Sequence, residues 1–282
     1  MTTIARQAKD ALELVHAMIY FAPEPTAEFD ALGLERGLMQ YLAGRSAAMG
    51  RVGPGAVTAT FYNFAPGPVA EVIPRAWSIA APEDVLAARL RAADGALRRM
   101  LGEEVGSTAV VDAADLAERA ATGCSPEGKP LYAAHADLDR PAEAHLRLWH
   151  AVTLLREFRG DAHLAALQRA GLPGLDALVL HSATGSGFTP AAARKTRGWT
   201  EQEWTAAEQR LRERGLVDPD GGVTEQGTAL REAVERDTDA MSMGPWEVLG
   251  DDGTEVLCAT GVRLTKQLLA AGAVPQGLFG RG

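Results

Sequence analysis

TPAAARKTRGWTEQEWTAAEQRLRERGLVDPDGGVTEQGTALREAVERDTD, residues 189–239, is the stretch on which the fold turns. Thr189 before Pro190 marks a helix start, because the hydroxyl can accept an orphan amide and proline at the first helical position forfeits no hydrogen bond. That short helix runs to about Lys195, and Gly198 makes the turn. Thr200 and Glu203 have capping-box spacing and open a second helix with Trp204, Ala207 and Leu211 on one face. Gly215 ends it, Val217 and Val223 flank the hairpin-like DPDGG, and Leu230 and Val234 belong to a last helix. Short helix, turn, longer helix, two short strands, helix is the winged helix-turn-helix order, so the spacing predicts a small β-wing.

A major-groove helix reads bases with Arg, Lys, Asn or Gln. The longer helix here instead opens with Glu201, Gln202 and Glu203, while Arg210, Arg212 and Arg214 come late. Residues 189–239 hold eight basic against eleven acidic side chains, within a chain of formal net charge −9. Phosphate contacts supply most non-specific DNA affinity, so this balance disfavours DNA as a partner. The candidate DNA edge reduces to Arg194, Lys195 and Arg197.

The chain has 282 residues, 46% of them hydrophobic, enough for two ordinary cores. Cys124 and Cys258 lie far apart without a CxxC partner, so no disulfide framework or thiolate zinc site is indicated. The first residues, MTTIARQAKDALELV, lack a signal-peptide core, and no window approaches eighteen uninterrupted apolar residues. The expectation is a cytoplasmic protein with no membrane partner.

The rest of the chain is mostly helical in rhythm. Residues 5–21 form a first helix with Leu12, Val15 and Ile19 inside, and a second candidate over 26–46 is interrupted by Gly33 and Gly37. MGRVGPGAVTATFYNFAPGPV, residues 49–69, reads as a loop-bearing region in which VTATFY is a short strand or a helical turn. Residues 143–159 carry apolar side chains over a wide arc, as a nearly surrounded helix does, with Gly160 as its stop and Asp161 capping the next. Leu264, Leu268 and Leu269 anchor a C-terminal helix that either closes the core or makes a homodimer contact, and PQGLFGRG, residues 275–282, reads as a tail. The expected fold class is all-α dominated: a helical domain over 1–140, a winged-helix-like domain with a small β-wing over 141–240, and a C-terminal helix and tail over 241–282.

No GxxxxGK[ST], strand-borne GxGxxG, HExxH or GxSxG is present, so no cofactor is named by motif. The densest polar constellation is RLWHAVTLLREFRGDAH, residues 147–163. It holds His150, Arg156, Glu157, Arg159, Asp161 and His163 on or beside an apolar helix. Ionised groups there must be paired, either with one another or with a ligand. The second reading makes them the wall of a polar pocket, with Arg156 or Arg159 clamping an anion and His150 moving a proton. His16, Tyr20, Arg45, Tyr62, Asn63 and Trp77 form a second candidate group, a core seam or a ligand wall. His145 and His150 point about 140° apart around a helix and share no ligand face, so no metal is expected.

The runs YFAPE, YLAGRSAAMG, ATFYNFAPGPV, AHLRLWHAVTLLREFRGDAHLAAL, RGWTEQEW and VTEQG together resemble an actinobacterial helix-turn-helix family, over nearly the whole chain. The resemblance implies an actinobacterial cytoplasm and an association with small-molecule pathways. Ala48 departs from it, standing where proline is usual.

The reading that joins these features is a small-molecule-binding protein on a degenerate winged-helix scaffold, its ligand anionic or polar-aromatic. A ligand-responsive transcriptional regulator is the first alternative. An enzyme using His150 or His163 as acid or base beside Arg156 or Arg159 is the second.

Overall fold

In a computed structural model, residues 3–274 are described, and the 275–282 tail lies outside the described residues. Among the described residues fourteen α-helices follow one another: α1 Ile4–Ala17, α2 Pro23–Ala31, α3 Leu38–Ser46, α4 Pro54–Phe61, α5 Pro66–Ile79, α6 Pro82–Leu101, α7 Thr108–Ala121, α8 Pro130–Ala136, α9 Ala144–Arg169, α10 Gly174–Ser182, α11 Pro190–Arg197, α12 Glu201–Glu213, α13 Glu225–Met241 and α14 Gly244–Ala270. They divide between two compact units. The first comprises the chain up to Arg51, Ala76–Ala162 and the chain from Asp239 to Val274; the second comprises Val52–Arg75 and His163–Thr238.

The first unit is built on close helix approach. Its core includes Ala93, Ala96, Ala113, Ala114, Ala117 and Ala120, all essentially inaccessible, so backbones meet with little side chain between them. Against α1, the α14 residue Gly261 leaves no room for a methyl group, since an added Cβ would lie 2.7 Å from the Ala11 carbonyl oxygen. Leu264 and Leu268 of α14 are buried in this core, whereas Leu269 is exposed. The second candidate helix of the sequence is two helices, α2 and α3, because Gly33 and Gly37 take positive φ of 80° and 90° between them.

The second unit contains the helix-turn-helix. Thr189 caps α11 through the Ala192 amide, Gly198 ends it at φ 76°, and Thr200 and Glu203 form a reciprocal capping box at the start of α12. Trp204, Ala207 and Leu211 of α12 are buried with Leu178, Leu180 and Leu216. In the Gly/Pro-aromatic segment VTATFY is helical up to Phe61, within α4, between irregular stretches at 50–53 and 62–65. At its end Tyr62 adopts φ 43° and donates its hydroxyl to the Leu172 carbonyl. Gly174 starts α10 against this turn, where a Cβ would fall 1.8 Å from the Tyr62 carbonyl oxygen.

The winged-helix expectation is overturned. No β-strand occurs among the described residues, and Val217 and Val223 make only one isolated antiparallel bridge. The cause is local. Asp218 folds the turn onto itself, its Oδ1 accepting the amides of Asp220 and Gly222 at 2.9 and 2.8 Å. Thr224 already serves α13, accepting the Gly227 amide at 3.0 Å. Between the end of α12 and this cap too few residues are left to extend a ladder, and the fold is all-α.

Gly160 does not stop its helix either. α9 runs unbroken for 26 residues, because Asp161 spends its carboxylate elsewhere: Oδ2 accepts the amides of Leu131 and Tyr132, each at 3.0 Å, and so caps α8 rather than opening a new helix.

Candidate functional site

Within the first unit, α1, α3, α6, α8 and α9 bring their polar side chains to one buried centre. Glu157 on α9 is its anion. Arg45 from α3 reaches both carboxylate oxygens at 2.8 and 3.0 Å, and Arg156 reaches Oε2 at 2.8 Å. Burial alone would raise the Glu157 carboxyl, yet Arg156 and Arg45 hold it well below the usual carboxylate range. Arg45 also bonds the Tyr41 hydroxyl at 3.2 Å and sits over the Tyr20 ring, 5.5 Å from its centroid.

A separate hydrogen-bond chain lies beside these groups. Thr153 donates to the Trp149 carbonyl at 2.8 Å, so its oxygen must accept from His16 Nδ1, 2.9 Å away. His16 Nε2 is then left to accept from the Tyr20 hydroxyl at 2.8 Å. Burial, reinforced by Arg156, pushes the His16 pKa well below its ordinary value and keeps the ring neutral.

Arg89 of α6 is bound differently. Its Nη1 donates to His135 Nε2 at 3.1 Å, since His135 Nδ1 is occupied in donating to the Leu131 carbonyl at 2.9 Å. The guanidinium lies over the Trp149 ring, 4.9 Å from the centroid. Arg89 is only 4% exposed and forms no ion pair with the described residues. Burial lowers its pKa, and Tyr20, electrostatically and through a side-chain hydrogen bond, together with Glu157 opposes that shift. Burial and Arg89 together bring His135 down to about 4. The same two influences lower His150, which forms no hydrogen bond to the described residues.

Arg89, His135, Trp149 and His150 line a cavity of about 180 Å³ whose remaining wall includes Leu86 and Leu138. Three guanidiniums, those of Arg45, Arg89 and Arg156, thus face one fully buried carboxylate. The further acid at this centre, Glu13, lies 4.0 Å from Arg156 and is partly exposed. The centre carries an excess of positive charge with open space beside the arginine that has no counter-ion.

Of the residues singled out from sequence, His16, Tyr20, Arg45 and Arg156 meet at this centre, and His150 lines the cavity. Arg159 belongs to a separate pair with Asp239 at 2.8 Å, and Asp161 is the α8 cap. Trp77 is buried, its carbonyl accepting from Arg51 at 2.6 Å. Tyr62, Asn63 and His163 fall in the second unit, where Asn63 accepts from the Trp199 indole and His163 bonds Thr238. Glu157, already in the 147–163 constellation, organises the centre, and Arg89 and His135 are the residues the candidate set lacked. Arg89 carried a signal: it stands in phase with the buried Val85, Ala92 and Ala96 of α6. Among the described residues no group of three His, Cys, Asp or Glu side chains is placed to hold a metal ion.

Asp161 offers a pH test of this region. Burial pushes its carboxyl up to about 6 from an ordinary 3.8, despite two amide bonds that favour the anion. The folded state therefore favours the protonated form, and the ionised form costs stability above pH 6 that is regained as pH falls toward 3.8. Asp161→Asn keeps an acceptor for the α8 amides and removes the charge. It is expected to stabilise the protein by about 1–2 kcal/mol at pH 7.5, with the gain vanishing near pH 4 in urea unfolding.

The model of a family described as a helix-turn-helix family matches residues 5–275, and the chain belongs to that family. No curated protein and no solved structure matches it. No helix among the described residues is long and apolar enough to cross a membrane.

Proposed function

We propose that this member of the helix-turn-helix family is a ligand-responsive regulator: the first unit takes a small anionic or polar-aromatic effector, and the helix-turn-helix of the second carries the DNA-directed output. The observation that carries the reading is Arg89, a buried guanidinium without a carboxylate partner beside an open cavity, in a chain of a helix-turn-helix family. Desolvating a cation without a counter-ion is costly, and a ligand anion offsets that cost. α9 contributes Trp149, Thr153 and Glu157 to the centre and continues as one helix into residues of the second unit, a covalent route by which an effector can bias the motif.

The DNA contacts on this reading are few. Arg210 is held by Asp176, Arg212 by Glu208, and Arg214 donates to the Gly171 and Ala170 carbonyls. Arg197 lies over the rings of Phe64 and Phe188, and Arg194 pairs with Glu201 at 3.1 Å. Lys195 is the exposed cation of α11 that makes no ion pair with the described residues. Selection from a randomised duplex library at low salt should enrich a discrete sequence. Its affinity should fall with salt on a log–log slope shallower than about −3, reflecting few phosphate contacts.

The acidic opening of α12, Glu201 and Glu203, favours a second reading in which the helix-turn-helix is a packing module and the protein binds its small molecule without DNA. Failure of the selection to enrich any duplex decides for that reading.

A further inference from the structure

The effector reading can be carried to a ligand class, and the class rests on that reading of the Arg89 cavity. Charge sets the first limit. Arg45 and Arg156 are matched by Glu157 and Glu13, whereas Arg89 has no acid, so the centre lacks one negative charge. The exposed Asp139 on the cavity wall adds repulsion against any ligand carrying two.

Shape sets the second. The cavity, about 180 Å³, exceeds the roughly 150 Å³ that accommodates a benzene ring in an apolar protein interior. Leu86, Leu90, Leu138, Pro141 and the Trp149 ring give it an apolar wall suited to a flat hydrocarbon body and unsuited to a fully hydrated oxyanion. Polar chemistry sets the third. Arg89 lines the cavity without an acid of its own, its Nη1 on His135 and the Tyr20 hydroxyl nearby, and guanidinium groups match carboxylates. His150, kept neutral by burial and by Arg89, stands on the same wall with its hydrogen-bonding capacity unspent.

We propose that the cavity beside Arg89 binds a small monocarboxylate with a flat apolar body of about the size of benzoate, its carboxylate on Arg89 and its ring against Trp149. Charge-assisted hydrogen bonds in a desolvated site separate such an acid from a neutral molecule of the same shape.

The test is calorimetric titration of the full-length chain with benzoate, with benzamide as the uncharged isostere and with inorganic phosphate, alongside tryptophan emission. Benzoate is expected to bind and shift the emission, benzamide to bind at least about tenfold more weakly, and phosphate to give no saturable heat. Arg89→Gln should weaken benzoate by at least about tenfold while leaving benzamide unchanged. Because Arg89 also anchors His135, a cavity-filling Leu86→Trp variant that retains Arg89 provides the second arm and should lose both aromatic ligands. Equal affinity for benzoate and benzamide, preference for phosphate, no benzoate binding, or unaltered benzoate affinity in both variants overturns the proposal. Failure of the ligand class leaves duplex selection untouched, and failure of duplex selection leaves the benzoate titration standing.

Discussion

Glu157→Gln is expected to destabilise the first unit by about 3–5 kcal/mol, read as a lowered urea midpoint at pH 7. The side chain volume is nearly unchanged, so the loss is electrostatic rather than a cavity. Arg45 and Arg156 lie within hydrogen-bond reach of this one carboxylate, and Glu157 is 2% exposed. Removing its charge strands the buried Arg45 guanidinium and takes a partner from the partly exposed Arg156, which costs far more than the intact pair contributes. Adding Arg45→Met to Glu157→Gln removes one stranded cation and should recover part of the loss. A single-variant change below about 1 kcal/mol is the contrary result, since it would place the carboxylate among weak, solvent-screened pairs.

Acid should unfold the protein well before its carboxylates titrate. Burial depresses His16, His135 and His150, so the folded state disfavours their protonated forms while the unfolded chain protonates them below about pH 6.5. The unfolded state then binds more protons, and stability present above pH 6.5 is lost as pH falls. His135 alone, at about 4 when folded, accounts for roughly 3 kcal/mol between pH 6.5 and 4. Asp161 works in the opposite direction over part of this range and offsets part of that uptake. Urea midpoints measured from pH 7.5 to 4.5 should fall steeply, and His135→Gln should flatten the profile by about one proton. A flat profile in the wild type contradicts neutral, buried histidines.

What the sequence made legible and what it did not divides along the range of the interaction. The α11–turn–α12 motif was readable because its signals are side chains acting on backbone within three or four residues: Thr189, Gly198, Thr200 and Glu203. The wing was misread because Val217 and Val223 flank a turn compatible with a hairpin, whereas the Asp218 side chain and the Thr224 cap decide against one. Gly160 and Asp161 together look like a helix end. Only the approach of α8 shows that the Asp161 carboxylate has another use.

The candidate site follows the same pattern. His16 and Tyr20 are one helical turn apart and Arg156 neighbours Glu157, so each half was visible locally. Their meeting depends on α3 and α6 crossing α9, which periodicity does not encode. Arg89 is the clearest loss. It stands in a helix that also carries Arg91, Arg98 and Arg99, all pairing at the surface, and only its phase with Val85 and Ala92 marks it as interior.

The most direct measurement of effector control is the affinity of the wild type and Arg89→Gln for the selected duplex, each with and without saturating benzoate. Coupling through the first unit predicts a change of at least about fivefold on adding benzoate to the wild type and none in Arg89→Gln. Equal duplex affinity in the wild type with and without benzoate would contradict it.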